Sequence, residues 1–502
     1  MKKFSFIAKM PDEPGALHKA AEIAKHHHGN IHRIHYNRRI DSNTVFFDIT
    51  ASPEMYEKIK TDLHEIGYLQ TSLKPISFLK FNVYLPNKVG ALFEFLEYLT
   101  SFNANVGFMD FDDSSTSPDK LTVSLTLKES SLVNDLLNSL KSQYRLEILE
   151  YDEKYENLDD TVFYIIFAQK IRDLIGSTAD EFLIKLLSDI NHIVQELTKL
   201  GEEPREVFDS ILLTGKTLKE STGKNFFADV QKIHIKDDFD IFCFQPPCGG
   251  NIFILNTSYQ IFMIDTGYGI YHHDVLRMLQ NYGLGDLGKL KKIYITHADA
   301  DHSGAGGLFT AKSIMHERTL EAIKEANRAY GSTSQSSVLE EVYTKLINLF
   351  SEFHSPENVE CFKDKVYGMR NIFPVIDKFK INDLEFEVLE SLGGHLPGQI
   401  FIICPEEGLL FTGDSLINFE SLSTERKEFN LLAKTLMTSV NVDTEAAAKE
   451  RDALMQLASE LDKDLSIKNR RCFIFGGHGT ISQLSGDKLE TIGEIENYKP
   501  DN

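Results

Sequence analysis

Residues 293–295 form an apolar run that passes directly into Thr296-His297-Ala298-Asp299-Ala300-Asp301-His302-Ser303-Gly304. Four side chains able to ligate a metal, His297, Asp299, Asp301 and His302, thus fall within six residues at the end of a buried strand, where a rigid sheet positions the loops that carry chemistry. Their unequal spacing suits a turn that sends them toward two adjacent cations rather than one. The same device recurs three times downstream. His395 sits in the glycine-supported loop Gly393-Gly394-His395-Leu396-Pro397-Gly398 after a strand-like stretch at 385–390, Asp414 ends the apolar run 409–413, and His478 follows 473–476 through Gly477. Shorter apolar runs at 241–244, 252–255 and 261–264 each stop at a polar or glycine-rich turn, the last at Asp265-Thr266-Gly267. Strands therefore dominate from His234 onward.

A chain of 502 residues exceeds one hydrophobic core, and about 150 residues per domain predicts about three domains. The surplus of 75 Asp+Glu over 53 Lys+Arg leaves a formal charge of −22, which repels polyphosphate and argues against a nucleic-acid partner. After Met1-Lys2-Lys3 the apolar stretch 4–8 is interrupted by Lys9, Asp12 and Glu13 before a signal-peptide core can form. No stretch reaches the roughly 18 uncharged apolar residues of a membrane span, so the expectation is a cytoplasmic protein without membrane contact. Cys243, Cys248, Cys361, Cys404 and Cys472 lack metal-knuckle spacing and read as reduced and mostly buried.

The first third repeats itself. Pro11-Asp12-Glu13-Pro14-Gly15-Ala16-Leu17 follows a strand-like stretch at 4–10, and Pro86-Asn87-Lys88-Val89-Gly90-Ala91-Leu92 follows another at 78–85. Each Gly-Ala-Leu opens a helical pattern. Strands at 31–38, 44–50 and 68–74 with a helix at 54–66 complete the first copy; strands at 106–111, 121–127 and 145–151 with a helix at 131–142 complete the second. The order is the ferredoxin-like β-α-β-β-α-β, twice. This pair, over residues 1–75 and 76–152, resembles tandem ACT domains, small regulatory modules that bind amino acids at the turn after the first strand. The resemblance implies an amino-acid effector near Asp12, Gly15, Ala16 and Leu17, or a role in pairing subunits into a homo-oligomer. Val89 stands where that family often has proline. Residues 153–232 carry helical stripes, broken at Gly201 and Pro204, and read as a helical connector.

The ordered strand-end residues of 233–490 resemble the metallo-β-lactamase superfamily, whose αββα sandwich carries a metal site along one edge. The implied fold class is a multidomain α/β protein: two ferredoxin-like modules, a helical connector and this sandwich, with a helical insertion at about 316–375 and a tail at 491–502. Carried over by position, His297, Asp299 and His395 would hold one ion, Asp301, His302 and His478 the other, with Asp414 bridging; Asp265 matches a structural aspartate. The implied cofactors are two divalent ions, iron or zinc, with manganese as a third choice. The implied activity is hydrolysis of an ester, thioester or phosphodiester, with Asp301 orienting the attacking water or passing its proton. Hydrolytic members usually have histidine at the position of Asp299. A carboxylate makes that site harder, and a similar acidic residue marks the flavodiiron proteins. The alternative is therefore a diiron protein that binds or reduces dioxygen or nitric oxide, of the sensor type, since no flavodoxin-sized segment follows His478.

Overall fold

The computed structural model describes residues 2–35, 44–68, 77–86, 88–111, 120–127, 136, 139–151, scattered positions between 167 and 200, and 200–500 apart from 336, 364 and 438. The chain divides into two compact units, Met1–Gln195 and Glu196–Asn502, so the stretch read as a connector, 153–232, is shared between them. No helix among the described residues is long and apolar enough to cross a membrane.

In the first unit, the strand Lys2–Lys9 pairs antiparallel with Thr44–Ala51, which pairs in turn with Asn30–His35; the helices Ala16–His26 and Pro53–Glu65 complete the described part of the first copy. The expected last strand at 68–74 falls on residues 69–76, outside the described residues, except for buried Tyr68. In the second copy the strands Asn105–Phe111, Lys120–Leu127, Ser77–Tyr84 and Arg145–Tyr151 lie in that spatial order, with the helix Ala91–Ser101. The repeat has a physical cause at its glycines. Gly15 and Gly90 cap the two helices with φ of +93° and +86°, a left-handed conformation that side chains with a Cβ resist.

The second unit contains, among the described residues, two eight-stranded sheets. In the first sheet, Phe239–Gln245, Ile252–Asn256 and Ile261–Ile264 pair antiparallel, and Leu290–Tyr294, Lys312–Met315 and Val359–Cys361 then add in parallel. Parallel neighbours need a crossover, supplied after Ile264 by the helix His272–Asn281. In the second sheet, Leu384–Glu390, Ile400–Cys404 and Leu409–Gly413 are antiparallel, and Leu409–Gly413 runs parallel to Phe473–Gly476.

Side chains alternate across a strand, and here both alternating sets are buried. Ile400, Ile402 and Cys404 face a core shared with Phe239, Ile241, Phe253 and Ile264 of the other sheet, while Phe401 and Ile403 face Leu454, Leu457, Ala458 and Leu461 on the helix Thr444–Ser466. This is why these strands read as unbroken apolar runs. At the centre, the ring of Phe253 lies 5.3 Å from that of Phe411, which stacks on Phe475 at 4.3 Å. Ile402→Ala should therefore cost about 2–5 kcal/mol through lost burial and a residual cavity, read as a lowered urea midpoint for unfolding of the second unit.

Candidate metal centre

The strand directions bring the chemistry to one edge. Ile261–Ile264 and Leu290–Tyr294 run parallel and end at Asp265 and at the Thr296–His302 loop; Leu384–Glu390, Leu409–Gly413 and Phe473–Gly476 share one direction in the facing sheet and end before His395, Asp414 and His478. Loops outside the carboxyl ends of such strands are where open sheets place ligand sites.

Asp265 ties the first edge together. Its backbone turns at φ +59°, uncommon for a residue with a Cβ. Its buried carboxylate accepts from the Thr296 backbone N–H at 2.7 Å, the Thr296 hydroxyl at 2.7 Å and His302 Nδ1 at 2.9 Å. Having donated its proton to Asp265, the Thr296 hydroxyl accepts from His297 Nδ1 at 2.9 Å. His395 Nδ1 lies 3.1 Å from the side-chain amide oxygen Oδ1 of Asn441, to which it donates. Three histidines thus engage Nδ1 with an outer acceptor and turn Nε2, the lone-pair nitrogen of the neutral ring, inward, the orientation that a second set of partners imposes on metal-binding imidazoles.

Those lone pairs converge. His297, His395 and Asp414 form one group and Asp301, His302 and His478 a second, each with candidate ligand atoms within 4.8 Å of one another. Asp414 lies between the groups: its Oδ1 is 3.3 Å from His302 Nε2, and its Oδ2 is 3.3 Å from His478 Nε2, 3.7 Å from His395 Nε2 and 3.9 Å from His297 Nε2. The Nε2 atoms of His297, His302 and His395 and Oδ1 of Asp414 are buried without a hydrogen-bond partner. Two glycines make room. A Cβ on Gly250 would stand 2.4 Å from the His302 ring, and one on Gly477 would overlap Asp414 Oδ1 at 1.8 Å.

The electrostatics record an excess of negative charge. Burial opposes a charged imidazole, but Asp414 and Asp301 outweigh it at His302, held well above the ordinary range, and at His478, raised to about 10. His297 falls to about 3 through burial and the neighbouring His302. Asp414 stays ionised well below the usual carboxylate range despite burial, because His302 and His478 face it.

Asp299 differs from the other acids. Arg328, 2% exposed, donates from Nε to Asp299 Oδ1 at 2.8 Å and from Nη2 to Oδ2 at 3.0 Å. The second oxygen also stands 3.3 Å from His395 Nε2. Despite burial, Arg328 holds Asp299 ionised well below its ordinary value.

A cavity of about 360 Å³ opens onto these groups. Its floor is Asp299, Asp301, His395, Asp414 and His478; its wall is Tyr343 and Ile347 from the helix Val338–Phe350, Phe429 and Leu431 from Thr424–Met437, and Thr214 from Pro204–Glu220. The three helices pack on one another, closely enough that a Cβ on Gly215 would meet the Phe350 ring at 2.9 Å. Burial and Asp301 hold the phenol of Tyr268, also on the cavity, protonated far above its ordinary value.

All seven residues read from the sequence as ligands lie at this edge. Sequence reasoning missed Arg328, Asn441 and the Thr296 hydroxyl. Thr296 stood beside His297 in the motif, whereas Arg328 and Asn441 lie in stretches with no motif of their own. His316, in the insertion, caps a helix by accepting from Arg318 N at 3.1 Å. The residues of the implied effector turn, Asp12, Gly15, Ala16 and Leu17, lie where the first strand meets the helix Ala16–His26, with Ala16 buried and the other three exposed.

Comparison with known proteins places the sandwich. The model of the metallo-beta-lactamase superfamily matches residues 246–461. No curated protein is similar in sequence to the chain. Among solved structures, the chain is similar to a metallo beta lactamase from Erythrobacter litoralis with beta mercaptoethanol in the active site, at 12% identity, covering 51% of this chain and 91% of that one with a TM-score of 0.30. Others are a metallo-beta-lactamase from Pontibacter korlensis, at 15% identity, 51% and 93% coverage and a TM-score of 0.29, and FIM-1 from Pseudomonas aeruginosa in its mono-zinc form, at 13% identity, 51% and 89% coverage and a TM-score of 0.30. Residues 246–461 of this chain are a metallo-beta-lactamase superfamily domain.

Proposed function

We propose that this edge is a dinuclear metal centre and that the protein hydrolyses an ester, thioester or phosphodiester with an apolar acyl or alcohol portion. One observation carries the reading: three Nε2 lone pairs and one carboxylate oxygen, all buried and unpartnered, converge beneath a cavity. Leaving such groups unsatisfied costs about 1–3 kcal/mol each, and cations held by His297, His395 and Asp414, and by Asp301, His302 and His478, would satisfy them. Two bound divalent ions, zinc, iron or manganese, supply Lewis-acid polarisation of the bond attacked and lower the pKa of water from about 15.7 toward about 7.

The chain's own residues do the rest. Asp301 faces the cavity beside His478, at 3.3 Å, where its carboxylate orients an attacking water and accepts its proton. Ile347, Phe429 and Leu431 hold the apolar part of the substrate and exclude water, and the Tyr268 hydroxyl, which burial keeps protonated, can donate a hydrogen bond to a substrate oxygen.

The diiron reading shares these residues. Cavity size favours hydrolysis: about 360 Å³ lies in the range of pockets for small organic molecules, whereas a diatomic gas needs little more than the roughly 30 Å³ share of a water molecule. We assign the N-terminal repeat an ACT-like role, amino-acid sensing or subunit pairing, supported by the left-handed turns at Gly15 and Gly90 and the exposed Asp12 and Leu17 beside the first.

His395→Ala should lose one cation per chain by elemental analysis and at least 100-fold in kcat/KM toward a chromogenic aryl ester, with the far-ultraviolet circular dichroism unchanged; full cation content in this variant contradicts the assignment. Gly250→Ala should push the His302 ring off its place and cost cation affinity at the second group at least tenfold, measured by competition with a chelating dye, while Gly288→Ala, whose added Cβ would meet only the end of the Asp286 side chain at 3.2 Å, should leave affinity unchanged.

A further inference from the structure

We propose that Asp299 is a positioning residue clamped by Arg328 rather than a cation ligand, so that the first cation is held by His297, His395 and Asp414 alone. The inference rests on the two-cation reading above and departs from the role that position implies by resemblance.

Three observations carry it. The fork of Arg328 meets both carboxylate oxygens of Asp299, at 2.8 and 3.0 Å, the bidentate geometry in which a guanidinium binds a carboxylate most strongly. The guanidinium is itself fixed: it donates to the Val440 carbonyl at 2.8 Å and to Glu340 Oε2 at 3.3 Å, and its own backbone N–H donates to the Thr344 hydroxyl at 3.0 Å. Swinging it aside would strand two buried carboxylates and a carbonyl without their donor. The group with mutually close ligand atoms is also complete as His297, His395 and Asp414. Asp299 Oδ2 is near enough to touch the centre, 3.3 Å from His395 Nε2 and 3.8 Å from His297 Nε2, but a guanidinium nitrogen 3.0 Å from that same oxygen would then stand beside the cation with like charge.

The consequence concerns which metal the site takes. With Asp299 neutralised by Arg328, the first group offers two imidazoles and one shared carboxylate, a softer set than one with a second carboxylate, and better suited to zinc than to iron or manganese. Asp299 then works through Arg328: the pair anchors the helix carrying Glu340 and Thr344 and the loop carrying Val440 against the metal loop.

The test uses the full chain loaded with zinc alone. Asp299→Asn/Arg328→Met/Glu340→Gln and Asp299→Ala/Arg328→Met/Glu340→Leu, each of which removes all three charges of the cluster, should retain two zinc ions per chain with both dissociation constants within threefold of wild type; loss of one zinc, or any larger weakening, overturns the proposal. Should neither variant fold, the zinc-loaded wild-type crystal structure decides: Asp299 should remain on Arg328, and an Asp299 oxygen at a zinc bonding distance of about 2.0–2.2 Å overturns it. Two zinc ions with Asp299 bound would sink this inference alone, whereas wild-type protein that takes up no zinc would sink the two-cation reading and this inference with it.

Discussion

Buried negative charge governs the sheet edge of the second unit where the histidines converge. Asp265, Asp299, Asp301 and Asp414 are gathered within hydrogen-bond or ion-pair reach of the same few histidines, and Arg328 is the one Lys or Arg in the described ion pairs of that cluster. Burying a carboxylate is tolerated only when it is paired. Asp265 is satisfied by three donors and Asp299 by Arg328. Asp301 and Asp414 are left with imidazoles alone. On the reading proposed above, two cations would balance those carboxylates.

The sandwich exists to hold these charges in register. Strands buried on both faces tolerate little sliding, because a one-residue slip exchanges the Ile400–Ile402 set for the Phe401–Ile403 set. Once the register is fixed, the loop positions follow, and the glycines at 250 and 477 let the backbone approach the His302 ring and the Asp414 carboxylate as closely as the cluster demands.

Much of this was legible in the sequence because it is local. Apolar runs ending in His or Asp announce strands and their loops, and the paired Gly-Ala-Leu turns announced two helix starts through the left-handed conformation of Gly15 and Gly90. What was hidden is nonlocal. Arg328 reaches Asp299 from within the helical insertion, Asn441 reaches His395 from a loop between two helices, and the helix Pro204–Glu220, which read as part of a connector, supplies Thr214 to the cavity wall. None of these has a spacing or composition of its own; each is defined only by what folding places opposite it. The clamp on Asp299 shows the same limit, since no pattern along the chain reveals that a guanidinium stands 2.8 Å from its carboxylate.

The central claim is that the converging unpartnered atoms hold two cations. Elemental analysis of the full-length wild-type chain, purified without chelators or added metal and passed over a desalting column, tests it directly. Two equivalents of divalent transition metal per chain are predicted. A folded chain that carries less than one equivalent, and gains none on dialysis against zinc, ferrous iron or manganese, would contradict it.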